Sequence, residues 1–178
     1  MKDLETNGYL KNLYPFTDEE LKFFEQTTEK VKDLELEDRK NVFSQEPKLR
    51  DLIEQKLKQI APNYGTSNYC FYLEKNAKQN WPLALHQDLN FPSYLEETSK
   101  NIRETGCWFR INLDSSDRFT GALKVIPQSH QNHNKVEPIF LDNSAGEVIL
   151  FKPLLFHGSN KMTIDHRRRV FQVLCQLK

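Results

Sequence analysis

The sequence lacks a surplus of charge of either sign and lacks any long apolar run. Its 178 residues carry 25 basic and 25 acidic side chains, so the formal net charge is zero. A chain without net charge has no electrostatic footprint for nucleic acid or for an anionic membrane, and we expect neither as a partner. No apolar stretch approaches the roughly 20 residues that cross a bilayer. The length suits one domain spanning residues 1–178, and the composition does not set its oligomeric state.

Cysteine is also scarce, and its positions argue against a disulfide framework. The three cysteines, Cys70, Cys107 and Cys175, are odd in number and far apart in the sequence. Each falls in a strand-like segment, so we interpret them as small buried side chains in a reducing compartment. Residues 1–6 lack the apolar stretch of a secretory signal peptide. We therefore expect a soluble protein of the cytoplasm.

Two helices are predicted in the N-terminal third. Thr17 and Glu20 form the capping-box pattern that begins a helix. A second helix is predicted from about Glu46, with Pro47 in its first turn and Pro62 beyond its end. Apolar residues recur at helical spacing in both: Leu21, Phe24 and Val31, then Leu49, Leu52, Ile53, Leu57 and Ile60. We interpret residues 1–62 as a helical support that packs on the rest of the chain.

From residue 67 the pattern changes to the period of two that is typical of strands. Between residues 107 and 113, Trp108 and Arg110 alternate with apolar residues that include Phe109 and Ile111. Further strands are predicted at 69–73, 122–126, 136–141, 147–151 and 168–177. Helices followed by many short strands predict a mainly β fold, closed or double-sheet, with helices outside one sheet. Residues 63–178 would form this β core.

A His-x-Asp tripeptide, His86–Asp88, is the first candidate for chemistry. On extended backbone two residues at this spacing point the same way, which places an imidazole beside a carboxylate. His157 closes a strand-like segment at 151–156 and offers a third ligand. Two histidines and one carboxylate form the facial triad of non-haem Fe(II) oxygenases. An isolated His-x-Asp pattern is more often a polar pair at the surface, so on this pattern alone His86, Asp88 and His157 are candidate ligands for a metal ion.

Arg168, eleven residues after His157, is a candidate for binding a carboxylate near that metal. Its guanidinium suits two-pronged capture of a carboxylate. Strand alternation groups Arg168 with Gln172, whereas Arg169 falls with the more apolar set that suits contact with outer helices. This alternation favours Arg168 over Arg169 for the interior. Arg110 is a second charge on a predicted interior face, and such a charge needs a partner.

The other histidines fit structural or surface positions. His130 and His133 offer a rival metal pair, but their surroundings are polar and loop-like. We interpret His130 as a turn residue and His133 as solvated. His166 lies beside the arginines and is expected at the surface.

Taken together, these motifs resemble the phytanoyl-CoA dioxygenase family of Fe(II)/2-oxoglutarate oxygenases. The matching elements are the His86–Asp88 tripeptide, the segment 113–130, His157-Gly158-Ser159 and the arginine after it. The resemblance runs from about residue 81 to the C-terminus. It implies a double-stranded β-helix, or cupin-like jelly roll, with N-terminal helices.

The resemblance also implies the cofactors and their contacts. His86, Asp88 and His157 would hold Fe(II), and 2-oxoglutarate and O2 would be co-substrates. Arg168 and the Ser159 hydroxyl would bind the far carboxylate of 2-oxoglutarate. Gln87, Trp108 and Arg110 are further candidates near the co-substrate. The implied activity is hydroxylation of a small-molecule substrate with release of succinate and CO2.

The sequence also departs from the family pattern. Gln128 stands where the family usually has glycine, residues 117–120 replace the usual polar residues before Gly121, and Arg110 stands where some members carry tryptophan. These departures concern the substrate and the contacts around the site, since the metal ligands match. Asp88 favours oxygenation, because related halogenases have a small residue at that position.

Two other functions are compatible with the same fold. One is a non-catalytic jelly-roll binding module, and the other is a cupin-type metalloenzyme with a different metal and no 2-oxoglutarate. The second would leave Arg168 and Ser159 without a role. For the oxygenase, we expect substrate between the polar loop 90–105, with Phe91 and Tyr94 as anchors, and the face carrying Trp108 and Arg110.

Overall fold

Two antiparallel sheets face each other, and helices cover the outer side of the larger one. The computed structural model describes residues 1–13, 16–95, 99–131 and 137–178. The nine strands within these ranges are β1 (Tyr9–Leu13), β2 (Tyr64–Lys75), β3 (Leu83–His86), β4 (Cys107–Asn112), β5 (Leu123–Val125), β6 (Ile139–Leu141), β7 (Val148–Phe151), β8 (His157–Ser159) and β9 (Arg168–Leu177). The five-stranded sheet has the order β1-β7-β4-β9-β2 and the four-stranded sheet the order β3-β8-β5-β6. This is the predicted jelly roll.

Six helices accompany the strands within the described residues, and the two longest lie where the sequence predicts them. They are α1 (Lys2–Asn7), α2 (Asp18–Val31), α3 (Leu36–Arg39), α4 (Val42–Gln45), α5 (Pro47–Ile60) and α6 (Ser99–Thr105). The capping box is present, because the Thr17 N–H donates to Glu20 Oε2 at 2.8 Å and Thr17 Oγ1 accepts from the Glu20 N–H at 3.3 Å. Within the described ranges no helix is long and apolar enough to cross a membrane.

The five-stranded sheet separates two apolar clusters, and the alternation of its strands decides which residue joins which. Phe109 and Ile111 of β4 pack with the helices, in a cluster that also contains Cys70, Cys107 and Cys175. Trp108, on the opposite face of β4, packs between the two sheets. The predicted faces of β4 and β9 are therefore confirmed. The three thiols are buried and unpaired.

The structure differs from the sequence prediction in the supporting region. Residues 1–62 are not wholly helical, because β1 joins the sheet with Tyr9 opposite Phe151. The sequence of β1 is hard to recognise as a strand, because its pairing with β7 is irregular between Leu10 and Leu13, where Asn12 has a φ of 57°.

Two segments near the predicted site also differ. The apolar run 151–156 is not one strand: β7 ends at Phe151, a turn containing Pro153 follows, and His157 begins β8. Proline has no N–H to give to a sheet, which explains the interruption. Part of the predicted loop 90–105 is helix α6. The start of the predicted strand at Val136, and His133, lie outside the described residues.

Candidate metal centre

A cavity of about 220 Å³ lies between the two sheets and contains the predicted site. Its lining includes the aromatic residues Tyr69, Phe71, Trp81, Phe91 and Trp108. Its polar lining includes Lys75, His86, Asp88, Arg110, His157, Ser159, Arg168 and Gln172. Asp88 is the one acidic residue that lines it within the described part of the chain.

The three predicted ligands converge in this cavity. His86 ends β3 and His157 begins β8, and the antiparallel pairing sets them directly opposite each other. Asp88 follows β3, and its N–H donates to the Pro153 carbonyl at 2.9 Å, which ties it to the turn before His157. One ligand atom from each residue lies within 4.8 Å of the other two. They form one group that could hold a metal ion.

Hydrogen bonds to backbone carbonyls orient both imidazoles. Nδ1 of His86 lies 2.9 Å from the Ala84 oxygen, and Nδ1 of His157 lies 2.8 Å from the Leu155 oxygen. These contacts assign the ring proton to Nδ1 in each case and leave Nε2 with a free lone pair. Both Nε2 atoms lie 3.5 Å from an Asp88 oxygen, too far for ordinary hydrogen bonds. Two nitrogens and a carboxylate oxygen around one point fit a first-row divalent cation.

The protonation preferences of the three ligands differ because their surroundings differ. Burial lowers the pKa of His157 to about 4, so its imidazole is neutral at physiological pH. The neighbouring Asp88 carboxylate raises the pKa of the more exposed His86. Burial alone would raise the pKa of Asp88, but its contacts with His86, His157 and Trp108 together lower it. A carboxylate and a neutral imidazole are the forms in which these groups bind metal.

Trp108 holds the carboxylate ligand in place. Its indole N–H donates to Asp88 Oδ2 at 2.7 Å, leaving Oδ1 toward His86. The ring packs against Phe71, with centroids 5.3 Å apart, and against Tyr69 at 5.7 Å. The sequence analysis expects Trp108 beside the co-substrate. Its polar atom instead supports a metal ligand, while its ring lines the cavity.

Gly158 lets the two ligand-bearing strands approach closely. A Cβ at this position would lie 2.6 Å from the Leu83 carbonyl oxygen and 3.0 Å from that of Ala84. Such contacts would push β3 away from β8 and separate His86 from His157. The glycine between His157 and Ser159 is therefore required by packing.

Arg168 lines the cavity, on the face that alternation predicts. Its side chain is buried, Nη1 donates to the Gly121 carbonyl, and Nε has no partner among the described residues. Burial lowers its pKa to about 10. Arg169 faces the helices and is paired with Asp114 and Glu25. The two arginines thus occupy opposite environments.

Arg110 also reaches the cavity, where neutral amides surround it. Its Nη1 donates to Gln172 Oε1 at 3.0 Å and its Nε to Asn112 Oδ1 at 3.3 Å. Burial and the charge of Arg168 both lower the pKa of Arg110. A buried guanidinium held by amides is oriented but not neutralised.

The sequence analysis missed Lys75, the last residue of β2. Its ammonium is buried, and it donates to Ser159 Oγ at 2.8 Å and to the Asn160 carbonyl at 2.9 Å. Ser159, a predicted co-substrate contact, therefore already has a cationic neighbour. A signal existed, since continuing the alternation of Tyr69 and Phe71 by two further steps places Lys75 on the cavity face.

The structure corrects the position of Gln87. Its side chain points away from the cavity, and its amide Nε2 donates to the Leu154 carbonyl at 2.5 Å. Alternation explains this, because Gln87 lies between two ligands that both point inward. The residue therefore holds the turn before His157 and does not contact the cavity.

The family usually has glycine where this chain has Gln128, and the backbone conformation at this position explains that preference. Gln128 has a φ of 65°, in the left-handed region that favours glycine. The backbone thus keeps the shape that glycine would allow, although the side chain differs. His130, two residues later, makes a contact of 2.9 Å between Nε2 and the Glu5 carbonyl, in keeping with a structural role.

The segment expected to gather substrate is only partly at the cavity. Asn90 and Phe91 line it, and the Phe91 ring lies 6.1 Å from that of Trp108. Tyr94, the other expected anchor, is 54% exposed and lies elsewhere. Ile102 of α6 is buried in the cluster between the sheets, so α6 is a packed element.

Comparison with known families agrees with this geometry. The family model described as phytanoyl-CoA dioxygenase (PhyH) matches residues 5–170. The chain belongs to the phytanoyl-CoA dioxygenase family. The match extends the resemblance found in the sequence to the N-terminal helices and β1. No curated protein matches the chain.

Solved structures share the fold at low sequence identity. SnoN, titled a non-heme alpha-ketoglutarate-dependent epimerase from nogalamycin biosynthesis, is 14% identical with a TM-score of 0.79, over 98% of this chain and 78% of its own. HygX from Streptomyces hygroscopicus, solved with nickel and 2-oxoglutarate bound, is 14% identical with a TM-score of 0.74, over 98% and 84%. EvdMO1 is 15% identical with a TM-score of 0.74, and this chain spans 48% of it.

Proposed function

We propose that this protein is an Fe(II)- and 2-oxoglutarate-dependent dioxygenase that hydroxylates a small molecule. One observation carries the proposal: a single cavity combines two histidines and a carboxylate with a buried arginine that has no acidic partner within the described residues. Family membership supports the same class. The structure of HygX with 2-oxoglutarate bound shows that this fold accommodates that co-substrate.

In this proposal His86, Asp88 and His157 hold the iron. The carbonyl contacts of the two Nδ1 atoms aim both Nε2 atoms at the metal, and Trp108 fixes the carboxylate. Because the side chains are oriented before metal binds, little ordering entropy is lost on binding. With three protein ligands, coordination positions are left for 2-oxoglutarate and O2.

Arg168 and Ser159 would bind the far carboxylate of 2-oxoglutarate. Ser159 lies two residues beyond His157 on β8, about 6.6 Å further along the strand. That separation suits a short dicarboxylate that reaches from the metal to Ser159 and Arg168. Arg168 supplies a buried guanidinium there, with Nε still free to donate.

The chemistry that iron and 2-oxoglutarate supply when bound is oxidation of a substrate C–H bond by O2, with succinate and CO2 as co-products. The protein positions both and excludes water. Tyr69, Phe71 and Trp108 form an apolar wall beside the triad, which lowers water access to the reacting centre. No side chain is needed as a general base.

Substrate is proposed to enter between Asn90, Phe91 and the interior face of β4. Arg110 faces that space with neutral hydrogen-bond partners, which favours a small polar or carboxylate-bearing substrate. The free, buried thiols are in keeping with a reducing compartment such as the cytoplasm. Asp88 fills the position that halogenases leave open, which favours oxygenation over halogenation.

The test is succinate release by the purified protein with Fe(II), ascorbate, 2-oxoglutarate and air. A panel of acyl-CoAs, amino acids and small metabolites would be screened, with the His157→Ala variant as the matched control. Substrate-dependent succinate and a product that contains one atom from ¹⁸O2 are the expected results. A product with the same mass as the substrate would indicate epimerisation instead of hydroxylation. Wild-type protein that neither binds 2-oxoglutarate nor releases succinate would favour a non-catalytic or differently metallated binding protein.

A further inference from the structure

Two buried basic residues lie directly opposite each other in the lining of the cavity. Lys75 of β2 is the cross-strand partner of Arg168 of β9. Both side chains are buried and both line the cavity. Like charges directly opposite each other in an antiparallel pair destabilise a sheet. An anion bound between them would offset this repulsion.

The protein partners of both cations are neutral. Lys75 Nζ donates to a hydroxyl and a carbonyl, and Arg168 Nη1 donates to a carbonyl. Arg168 Nε has no acceptor, and in the described ranges neither residue is paired with a carboxylate. Donors are therefore left on both sides of one space.

Another buried lysine shows what a structural role looks like in this protein. Lys152 is buried beneath α1, where its Nζ contacts Glu5 Oε1 at 2.9 Å and the Tyr64 hydroxyl at 3.3 Å. It has a carboxylate of its own. Lys75 differs because the protein supplies it with no negative charge among the described residues.

We propose that Lys75 is a second anchor for the far carboxylate of 2-oxoglutarate, which it binds together with Arg168. This inference rests on the proposed function and adds a residue to it. Ser159 completes the receptor, because its oxygen accepts from Lys75 and its own hydrogen can point to the carboxylate. Lys75 thereby selects a dicarboxylate over a 2-oxo acid with an apolar end.

The electrostatic environment of Lys75 supports a ligand-linked charge. Burial, followed by the charges of Arg168, Arg110 and Lys124, lowers the pKa of Lys75 to about 7. The same cavity contains His86, Asp88 and His157, which the metal engages. A carboxylate beside Lys75 would favour its charged form and raise this pKa. Binding of 2-oxoglutarate above pH 7 should then take up a proton.

The deciding experiment compares two ligands on the iron-loaded protein without oxygen. 2-Oxoglutarate and 2-oxopentanoate share the metal-binding head and chain length, but the second has a methyl group in place of the far carboxylate. Their dissociation constants would be measured by calorimetry for wild type, Lys75→Met and Lys124→Met. Lys124 is the matched control, since it donates to the side chain of the same Asn160 at 2.7 Å from an exposed position.

Lys75→Met should weaken 2-oxoglutarate binding about 10- to 100-fold and leave 2-oxopentanoate binding unchanged. Lys124→Met should change neither. Equal 2-oxoglutarate affinity in the two variants, or an equal loss for both ligands in Lys75→Met, would overturn the role of Lys75 and leave the proposed function standing. Wild-type protein that binds no 2-oxoglutarate would overturn the proposed function itself, and the inference with it.

A measurement on wild type alone covers the case in which Lys75→Met does not fold. Calorimetry at pH 8 in buffers of different ionisation enthalpy reports proton uptake on binding. Uptake approaching one proton for 2-oxoglutarate and none for 2-oxopentanoate is expected. Equal uptake for the two ligands would overturn the inference.

Discussion

Arg168 and Arg169 are neighbours in the sequence, and both are buried, yet they serve opposite faces of one sheet. Arg169 points to the helices, where Asp114 and Glu25 neutralise it. Its partners hold its pKa above the ordinary value despite the cost of burial. Arg168 points into the cavity, where its partner is a backbone carbonyl and burial lowers its pKa. Each arginine keeps one donor without a partner, but carboxylates neutralise the charge of Arg169 and none is paired with Arg168 among the described residues.

The comparison extends to the sheet as a whole. On the helix side, apolar side chains fill the space and the buried Arg169 is paired with carboxylates, as expected of a face that stabilises the fold. On the cavity side, Lys75, Arg110 and Arg168 share a space with Asp88 as the single acid among the described residues. Buried charges without partners cost stability, and we propose that a bound ligand supplies the missing partner here. Substitutions on the two faces should therefore affect different measurements.

The largest effect is expected from removing a metal ligand. His157→Ala should abolish iron-dependent succinate release, since losing a ligand costs more than the 10- to 100-fold that loss of a supporting contact costs. The circular dichroism spectrum of the metal-free protein should be retained. His166→Ala is the control, because His166 does not line this cavity and its ring contacts the Ser115 carbonyl at 3.1 Å. Full activity of His157→Ala would show that the metal lies elsewhere.

The arginine pair gives the most direct test of the two faces. Arg168→Met should weaken 2-oxoglutarate binding by about 2 kcal/mol or more, because the carboxylate would lose a charge-assisted partner in a buried site. Arg169→Met should leave that affinity unchanged. It should instead lower the free energy of unfolding by roughly 2–4 kcal/mol, since Asp114 would lose its charged partner and keep only the backbone N–H of residue 169.

Calorimetry and urea unfolding of both variants measure these two quantities. The comparison fails if Arg169→Met loses co-substrate affinity while Arg168→Met binds normally. Such a reversal would mean that β9 has its faces exchanged.

An intermediate effect is expected from Trp108, which lies on the cavity side. Trp108→Phe keeps most of the ring but removes the N–H that binds Asp88. Iron affinity should fall about 10- to 100-fold, whereas the free energy of unfolding should change by less than about 1.5 kcal/mol. Competition with a chromophoric chelator measures the affinity. Unchanged iron binding would show that Asp88 is held without the indole.

The smallest effect is expected in the pH dependence of stability, and it tests the pairing of Arg169 with Glu25 on the helix side of the sheet. The hydrogen bond to Arg169 lowers the pKa of Glu25 from its ordinary 4.5. A lowered pKa in the folded state contributes stability that is present above pH 4.5 and is lost as pH falls through the lowered value. Because Glu25 is half exposed, this contribution should not exceed about 1 kcal/mol. The stability difference between wild type and Glu25→Gln should therefore vanish in acid, and a difference that grows there would contradict the pairing.

The sequence predicted what depends on short-range periodicity. A period of two along β4 and β9 sets the faces of Trp108, Arg110, Arg168 and Arg169, and the structure has these faces. The capping box at Thr17 works for the same reason, because its contacts span three residues. Lys75 could have been placed by the same alternation, had the strand been followed to its end.

Elements that depend on a distant partner were missed or misjudged. β1 is short and irregular, and it becomes a strand because β7 offers an open edge. The run at 151–156 has the composition of a strand, but Pro153 cannot donate an N–H to a sheet and the run forms a turn. After this turn the chain enters β8, where His157 pairs with His86. The strand propensity of a short segment depends on its own residues, so it predicts neither the pairing of β1 with β7 nor the turn before His157.

By itself, the sequence determined which residues can carry the chemistry and which way each points from its strand. The tertiary structure alone decided which of them meet. Pairing of β3 with β8 brings together His86 and His157, and pairing of β2 with β9 sets Lys75 against Arg168. The period of two along a strand fixes the direction in which each side chain points. The register between strands far apart in the sequence fixes the distance between their side chains, and a binding site requires both.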